Sequence, residues 1–139
     1  MKKTSPNAPC PCGSQNKYKK CCLIYHKGVK PQTALLLMKS RYSAYAVGDS
    51  AYIVKTTHPS NSDFTDNIKA WRESIEEFSR STEFLELKIL DFIDGEKEAF
   101  VHFNAILSSG DMIEKSRFLK VEGNWLYESA DLSRSDIEV

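Results

Sequence analysis

All four cysteines of this 139-residue sequence lie within one short stretch, CPCGSQNKYKKCC, at positions 10–22. Thiols this close together can form disulfides, exchange electrons or bind a metal ion. Closing Cys10 onto Cys12, or Cys21 onto Cys22, would make very small, strained rings, whereas the two crossed pairings stay possible after oxidation. The stretch contains no C-x-x-C spacing and follows no strand, which argues against a thioredoxin-like redox site.

The spacing of the cysteines suits a tetrahedral zinc ion. Cys10 and Cys12 are two residues apart in a stretch that neighbouring prolines keep extended, so both side chains point to the same side. The chain between the two cysteine pairs then returns Cys21 and Cys22 to the ion. Four thiolates leave no open coordination position. The sequence therefore predicts one structural Zn²⁺ ion on which the folding of this short segment depends.

Basic residues fill the gap between the two cysteine pairs. A zinc ion with four thiolates carries a net charge of about −2, which Lys17, Lys19 and Lys20 can offset. With Tyr18 among them, these lysines form a candidate interaction surface, Lys17, Tyr18, Lys19 and Lys20. Such a surface can bind an acidic protein surface or, because an aromatic ring lies among the lysines, nucleic acid.

Charge is divided unevenly along the chain. Residues 1–48 hold nine Lys or Arg and no acidic residue, whereas residues 49–139 hold ten basic and all nineteen acidic residues, giving +9 and −9. Hydrophobic residues make up 41% and charged residues 27%, as in an ordinary globular protein. No apolar run approaches the roughly 18 residues of a membrane-spanning helix, and the N-terminal lysines precede no apolar signal segment. We therefore predict a cytoplasmic protein without membrane insertion.

The middle of the chain has helical periodicity. Thr33 is predicted to cap a first helix that ends at Gly48, and a second begins at Asp49 or Ser50. The dipeptide 58–59 stops the second helix. A third is predicted from about residue 63 to residue 79. Its apolar stripe comprises Ile68, Trp71, Ile75 and Phe78.

The end of the chain has strand periodicity. Two apolar segments flank the turn at 94–96, a hairpin signal, and two more strands follow the turns at 108–111 and 122–124. Four consecutive strands joined by tight turns form an antiparallel meander. Helices followed by strands indicate an α+β fold. We predict three helices packed on a curved four-stranded antiparallel sheet, preceded by a small Cys₄ zinc knuckle.

The cysteine stretch closely resembles the SEC-C motif, named for the zinc module at the C-terminus of the SecA translocation ATPase. The matching residues are Cys10, Cys12, Ser14, Tyr18, Cys21 and Cys22. Gln15 departs from the motif, in which glycine is usual, and we predict that Asn16 supplies the left-handed turn instead. The resemblance implies zinc binding, but it implies no particular partner because the motif is attached to many unrelated proteins.

A second resemblance extends over nearly the whole chain. The segments LMKSRYSAYAVGDSAYIVKTTHPS (37–60) and EKSRFLKVEGNWLY (114–127) resemble the YchJ family. This resemblance implies a SEC-C motif at 1–28 and a domain with the nuclear-transport-factor-2-like fold at 29–139. Many members end in a second SEC-C motif. Because this sequence ends at Val139 without one, we do not expect a function that needs two zinc modules.

The implied fold usually encloses a conical cavity between helices and sheet. The candidate pocket residues are Arg41, Tyr42, Tyr45, His58, Arg117 and Trp125. A buried arginine needs a carboxylate, either from the protein or from a bound anion. Glu98, Asp111 and Glu114 are predicted at strand ends or turns, so no carboxylate is assigned to the cavity and no catalytic residue is assigned.

Three functions are compatible with these patterns. The favoured hypothesis is a SEC-C-mediated protein-interaction module or adaptor on a globular scaffold, with an acidic protein surface as partner. The second is a small-molecule-binding protein or enzyme that uses the conical cavity. The third is nucleic-acid or ribosome binding by the basic N-terminus. The resemblance itself implies no biochemical activity, and enzymatic catalysis is the less favoured expectation.

Overall fold

The computed structural model describes residues 4–131. A short N-terminal segment is followed by helices and then by strands, which confirms the predicted α+β order. The segment contains a single 3₁₀ turn, Tyr18–Lys20, and helix α1, Cys22–His26. The larger helices are α2 (Ala34–Val47), α3 (Ser50–Lys55) and α4 (Ile68–Ser81). The strands are β1 (Phe84–Ile93), β2 (Glu98–Leu107), β3 (Gly110–Val121) and β4 (Asn124–Asp131).

The four strands pair as an antiparallel meander in the order β1-β2-β3-β4, as predicted. Gly95 forms the turn between β1 and β2, where an added Cβ would clash with the Glu98 carbonyl oxygen, so no larger residue fits. Alternate residues of β2 face the helices and are buried, as the two-residue period of a strand requires. Irregular pairing in β1 and between Arg117 and Phe118 interrupts the ladder, and such bulges bend a sheet.

Helix α2 lies at the centre of the molecule. The Thr33 side chain accepts a hydrogen bond from the Leu36 N–H, and Gly48 ends the helix in the left-handed conformation at φ 84°. Both caps are those predicted from the sequence. Buried residues surround the helix because the cysteine segment covers one side and the sheet covers the other. Its buried polar residues, which include Ser40 and Ser43, therefore face protein on both sides.

Helix α4 begins later than predicted. The expected start near residue 63 is wrong because the preceding chain folds into turns, and Asn67 caps the helix by accepting a hydrogen bond from the Ala70 N–H. The predicted stripe is only partly buried. Trp71 and Ile75 enter the core, whereas Ile68, at the first turn, is 42% exposed.

The core fills the space between the helices and the inner face of the sheet. Phe118, Trp125 and Leu37 are among its buried members, and Tyr52 and Ile53 join it from α3. Helix α2 contacts β1, β2 and β4. Within residues 4–131, none of the helices combines the length and apolar character needed to span a bilayer.

Candidate metal centre and cavity

The cysteine module, defined here as residues 8–26, folds around its four thiols. Residues 8–18 form a small hairpin in which the Cys10 N–H donates to the Asn16 carbonyl at 2.9 Å. The four Sγ atoms all lie within 4.8 Å of one another, and those of Cys12 and Cys21 are 3.6 Å apart. Four Zn–S bonds of about 2.3 Å in a tetrahedron place the sulfurs about 3.8 Å apart. The arrangement therefore fits a four-coordinate metal ion.

The protonation of these thiols depends on their close packing. Hydrogen bonding to Cys10, followed by burial, raises the pKa of the Cys12 thiol to about 11. Hydrogen bonds to the Cys10 and Cys12 sulfurs, followed by burial, also raise the pKa of the Cys22 thiol. Hydrogen bonds from the Cys12 and Cys22 thiols lower the pKa of Cys10, so one of these three packed thiols ionises at the expense of the other two. A divalent metal would supply the positive charge that lets them ionise together.

Groups around the sulfurs support the cluster. Cys21 is the N-cap residue of α1 and Cys22 is its first residue, so a helix end presents two adjacent thiols. The Ser14 Oγ lies 3.1 Å from the Cys21 sulfur, and the Ser43 Oγ of α2 lies 3.5 Å from the Cys10 sulfur. Hydroxyls at these positions can donate to thiolates and orient them around an ion.

The left-handed turn of the module is formed by Gln15 and not by Asn16. Gln15 has φ 73°, and Asn16 is not among the positive-φ residues of the described chain. The prediction for Asn16 is therefore wrong. The reason is that the Asn16 carbonyl is held by the Cys10 N–H, so the tight turn falls one position earlier.

The lysines and Tyr18 have different environments. Lys17, Lys19 and Lys20 are exposed, as the predicted interaction surface requires. Tyr18 is only 6% exposed, and its hydroxyl lies 2.6 Å from the His26 Nδ1. We correct its assignment, because the ring packs in the core of the cysteine module and is not available at the surface.

A hydrogen-bond chain joins the cysteine module to α2 and α3. The His26 Nε2–H donates to the Ser40 carbonyl at 2.8 Å, which leaves Nδ1 to accept from the Tyr18 hydroxyl. Ser40 in turn shares a 2.7 Å hydrogen bond with the Tyr52 hydroxyl. Burial lowers the pKa of His26, in agreement with this neutral tautomer. Nothing in the sequence near His26 indicates this contact, because its partner Ser40 is distant along the chain.

A cavity of about 580 Å³ lies between α2, α4 and the inner face of the sheet. Apolar side chains form most of its wall, including Met38, Phe78, Phe84, Phe103, Leu107 and Met112. Three predicted pocket residues of α2, Arg41, Tyr42 and Tyr45, also line it. The cavity has the size and mixed lining of small-molecule sites.

Arg41 supplies the positive charge of the cavity. It is 7% exposed, and its Nη1 donates to the Ile53 carbonyl and to the hydroxyls of Thr56 and Thr57 at 2.8–3.2 Å. Its guanidinium carbon lies 4.5 Å from the centre of the Tyr127 ring. Within residues 4–131, no carboxylate oxygen lies within 4.0 Å of its nitrogens. Fixed acceptors and a stacked ring therefore hold a buried cation without a carboxylate in contact.

Two carboxylates line the cavity, and neither was predicted there from the sequence. Asp63 is exposed at the edge, and Glu114 is half-buried in the wall. The predicted strand-end position of Glu114 is wrong, because β3 begins at Gly110 and Glu114 lies inside the strand on its inward face. Burial raises the pKa of the Glu114 carboxyl, and the charge of Arg41 partly opposes this shift.

The cavity tyrosines add hydroxyl groups. The Tyr42 hydroxyl is buried and has no hydrogen-bond partner in the described chain. Burial raises the pKa of Tyr42 to about 12 and also raises the pKa values of Tyr45 and Tyr127. All three side chains are therefore protonated at neutral pH. Tyr45 and Tyr127, whose phenols interact with the charged groups of the cavity, can donate hydrogen bonds into it.

The other three pocket candidates do not line this cavity. Arg117 lies on the outer face of β3 because side chains alternate along a strand, and it pairs there with Glu98 and Glu128. His58 accepts a hydrogen bond at Nδ1 from the Ser60 N–H, 3.0 Å away, and so stabilises the turn after α3. Trp125 is buried in the core, with the Lys120 ammonium over its ring.

Comparison with known proteins gives the class of this chain. Residues 33–130 match the family model described as "YchJ, middle NTF2-like domain", and residues 7–23 match the SEC-C motif model. The fold and the cysteine module thus define a nuclear-transport-factor-2-like domain preceded by a SEC-C motif. The chain belongs to the YchJ family, whose similar curated members carry the name UPF0225.

Similar proteins include one curated sequence and two solved structures. A UPF0225 protein of Streptomyces coelicolor is 37% identical over 91% of this chain and 97% of its own length. A SEC-C motif containing protein from Rhodopseudomonas palustris, solved in solution, is 30% identical, with a TM-score of 0.76 over 89% of this chain and 98% of its own. A similar protein from Psychrobacter arcticus is 27% identical, with a TM-score of 0.73 over 96% of this chain and 85% of its own.

Proposed function

We propose that this protein is a receptor for a small organic molecule bound in the cavity of its α+β domain. The observation that carries the proposal is Arg41, a buried cation on the cavity wall with no carboxylate within 4.0 Å among residues 4–131. Burying a guanidinium away from water costs on the order of several kcal/mol unless a nearby anion offsets this penalty. A negatively charged group of a ligand can be that anion.

The size of the cavity also favours a ligand. Protein interiors are packed about as densely as organic crystals, and few of their voids exceed the size of a water molecule. A volume of about 580 Å³ is far larger and falls within the range of ligand pockets.

This proposal can be tested by fragment screening of the full chain, with the thermal unfolding midpoint as readout. Ser74 and Ser81 lie on the same helix and each donates to the carbonyl three residues earlier, but only Ser74 lines the cavity. We expect ligands that raise the midpoint of the wild type to lose this effect in Ser74→Phe and to keep it in Ser81→Phe. Equal responses from the two variants would place the binding elsewhere and overturn the proposal.

We also propose that the cysteine module holds one Zn²⁺ through Cys10, Cys12, Cys21 and Cys22. The spacing of the four sulfurs supports a tetrahedral ion, and a closed thiolate shell makes its contribution structural. Mass-spectrometric metal analysis of the reduced chain should give one zinc per chain and much less in Cys21→Ser. A wild-type content well below one would contradict this assignment.

The exposed lysines favour a second candidate function, adaptor binding to an acidic protein surface. Lys17, Lys19 and Lys20 all reach solvent from one turn of the cysteine module. If the candidate is right, a poly-glutamate peptide should bind the wild type, and replacing the three lysines by glutamine should abolish binding. Binding of a single-stranded RNA but not of the peptide would instead support the nucleic-acid alternative.

A further inference from the structure

We propose that the cavity selects small organic carboxylates with an apolar body, and that Arg41 is the residue that recognises the carboxylate. This inference rests on the receptor function proposed above and names the chemical class of its ligand. It is carried by the bonding state of Arg41, by the groups around it and by the composition of the remaining wall.

The guanidinium of Arg41 is saturated at one nitrogen only. Nη1 has three protein acceptors, whereas no acceptor among residues 4–131 meets hydrogen-bond geometry at Nε or Nη2. The Tyr45 phenol interacts with the guanidinium without meeting that geometry. The Nε and Nη2 edge of a guanidinium carries two parallel N–H groups that match the two oxygens of a carboxylate. Packing against Tyr127 and the bonds to Thr56 and Thr57 fix the plane of the group before a ligand arrives. This order reduces the entropy lost on binding.

Neighbouring side chains can complete the polar part of the site. The Tyr45 phenol interacts with Arg41, and both line the cavity. Glu114 and Asp63 also face the cavity and interact electrostatically with Tyr45. The negative charge of Glu114 opposes a bound carboxylate, whereas it would attract a bound amine. The effect of removing this charge therefore separates an anionic ligand from a cationic one.

The rest of the wall fits an apolar ligand body. Aromatic rings from α4, β1 and β2, those of Phe78, Phe84 and Phe103, line the cavity together with Met38 and Met112. Phe78 and Phe84 pack edge to face at 5.7 Å. Methionine side chains adapt to ligands of different shape. We therefore expect the cavity to require the carboxylate group of a ligand more strictly than any particular shape of its apolar body.

Isothermal titration of the full-length, zinc-loaded chain at pH 7 tests this class. The probes are phenylpropanoate, phenylpropanamide and phenylpropylamine, which share one body and differ in charge, with octanoate, octanamide and octylamine as a second set. We expect each acid to bind at least about tenfold more tightly than its amide or amine, because only the acid forms a charged pair with Arg41.

Three variants test which residue recognises the carboxylate. Arg41→Gln should remove the preference for the acid, while Arg117→Gln, which alters the arginine on the outer face of the sheet, should leave it unchanged. Glu114→Gln should tighten binding of the acid by at least about threefold, because it removes a nearby negative charge. If Arg41→Gln fails to fold, the acid and amide affinities of the wild type still decide the question.

The possible outcomes distinguish the carboxylate class of the ligand from the receptor function proposed above. An amide or an amine that binds in the cavity as tightly as the acid would overturn the carboxylate class and leave the receptor function standing. Tighter amine binding that is lost in Glu114→Gln would likewise overturn it. If no probe binds and fragment screening also yields no cavity ligand, both proposals fail.

Discussion

At the scale of single residues, the backbone strain at Gln15 in the cysteine module has an identifiable cause. Gln15 takes a left-handed conformation, φ 73°, where its β-carbon crowds the neighbouring carbonyl. For a residue other than glycine, this costs about 1 kcal/mol or more. Gln15 retains the conformation because hydrogen bonds on either side fix the hairpin, and its side chain is exposed.

Replacing Gln15 by glycine should therefore stabilise the protein. We expect the free energy of unfolding to rise by about 0.5–1 kcal/mol, since relief of strain exceeds the entropy gained by the unfolded chain. Chemical denaturation of the zinc-loaded chain measures this change. Asn16→Gly is the control, and it should give no gain because Asn16 has no positive φ. A less stable Gln15→Gly variant would contradict the account.

The Tyr18 hydroxyl provides a second prediction at this scale. Tyr18→Phe leaves the buried Nδ1 of His26 without its donor, so we expect a loss of about 1–3 kcal/mol in unfolding free energy. Tyr25→Phe is the matched control, because no hydrogen bond of the Tyr25 hydroxyl is found in the described chain and the residue is half-buried. Equal losses in urea denaturation would show that the Tyr18–His26 bond contributes nothing specific.

At the scale of elements, helix α2 connects the cysteine module to the cavity. Ser40 and Ser43 contact the module, while Arg41, Tyr42 and Tyr45 of the same helix line the cavity. A metal ion that orders the module therefore also supports the helix from which much of the cavity wall projects.

Removing the metal should consequently affect both parts. We expect chelation to lower the unfolding midpoint by about 5 °C or more and to shift the methyl NMR signal of Met38, which lies on α2 in the cavity wall. Adding zinc back should restore both. An unchanged Met38 signal in a chain shown to be metal-free would contradict the coupling between module and cavity.

The elements also show what can be predicted from the sequence. The Thr33 cap, the Gly48 terminus, the Gly95 turn and the cysteine spacing depend on residues near one another in the chain, and their local patterns were sufficient. Long-range or register-dependent features were not. Arg117 was expected in the cavity and Glu114 at a strand end or turn. A strand places alternate residues on opposite sides, and only the β3 register decides that Glu114 faces inward and Arg117 outward. The contact of His26 with Ser40 likewise appears only after folding.

At the scale of the whole molecule, the exposed lysines and the cavity lie in different parts of the fold. The exposed lysines belong to the cysteine module, whereas the cavity lies in the α+β domain and contains one arginine and two carboxylates. Binding of an acidic partner at the module and of a small molecule in the cavity therefore need not compete, and substitutions in one site should spare the other. The lysine-to-glutamine variant accordingly should retain its affinity for phenylpropanoate.

The central claim, that the cavity is a ligand site organised by Arg41, is tested most directly by a crystal structure of the zinc-loaded chain saturated with phenylpropanoate. We expect the acid in the cavity, with a carboxylate oxygen about 3 Å from Nε or Nη2 of Arg41 and the phenyl ring against Phe84 and Phe103. A cavity filled by the protein's own side chains, with Arg41 paired to Glu114 and no bound acid, would contradict the account.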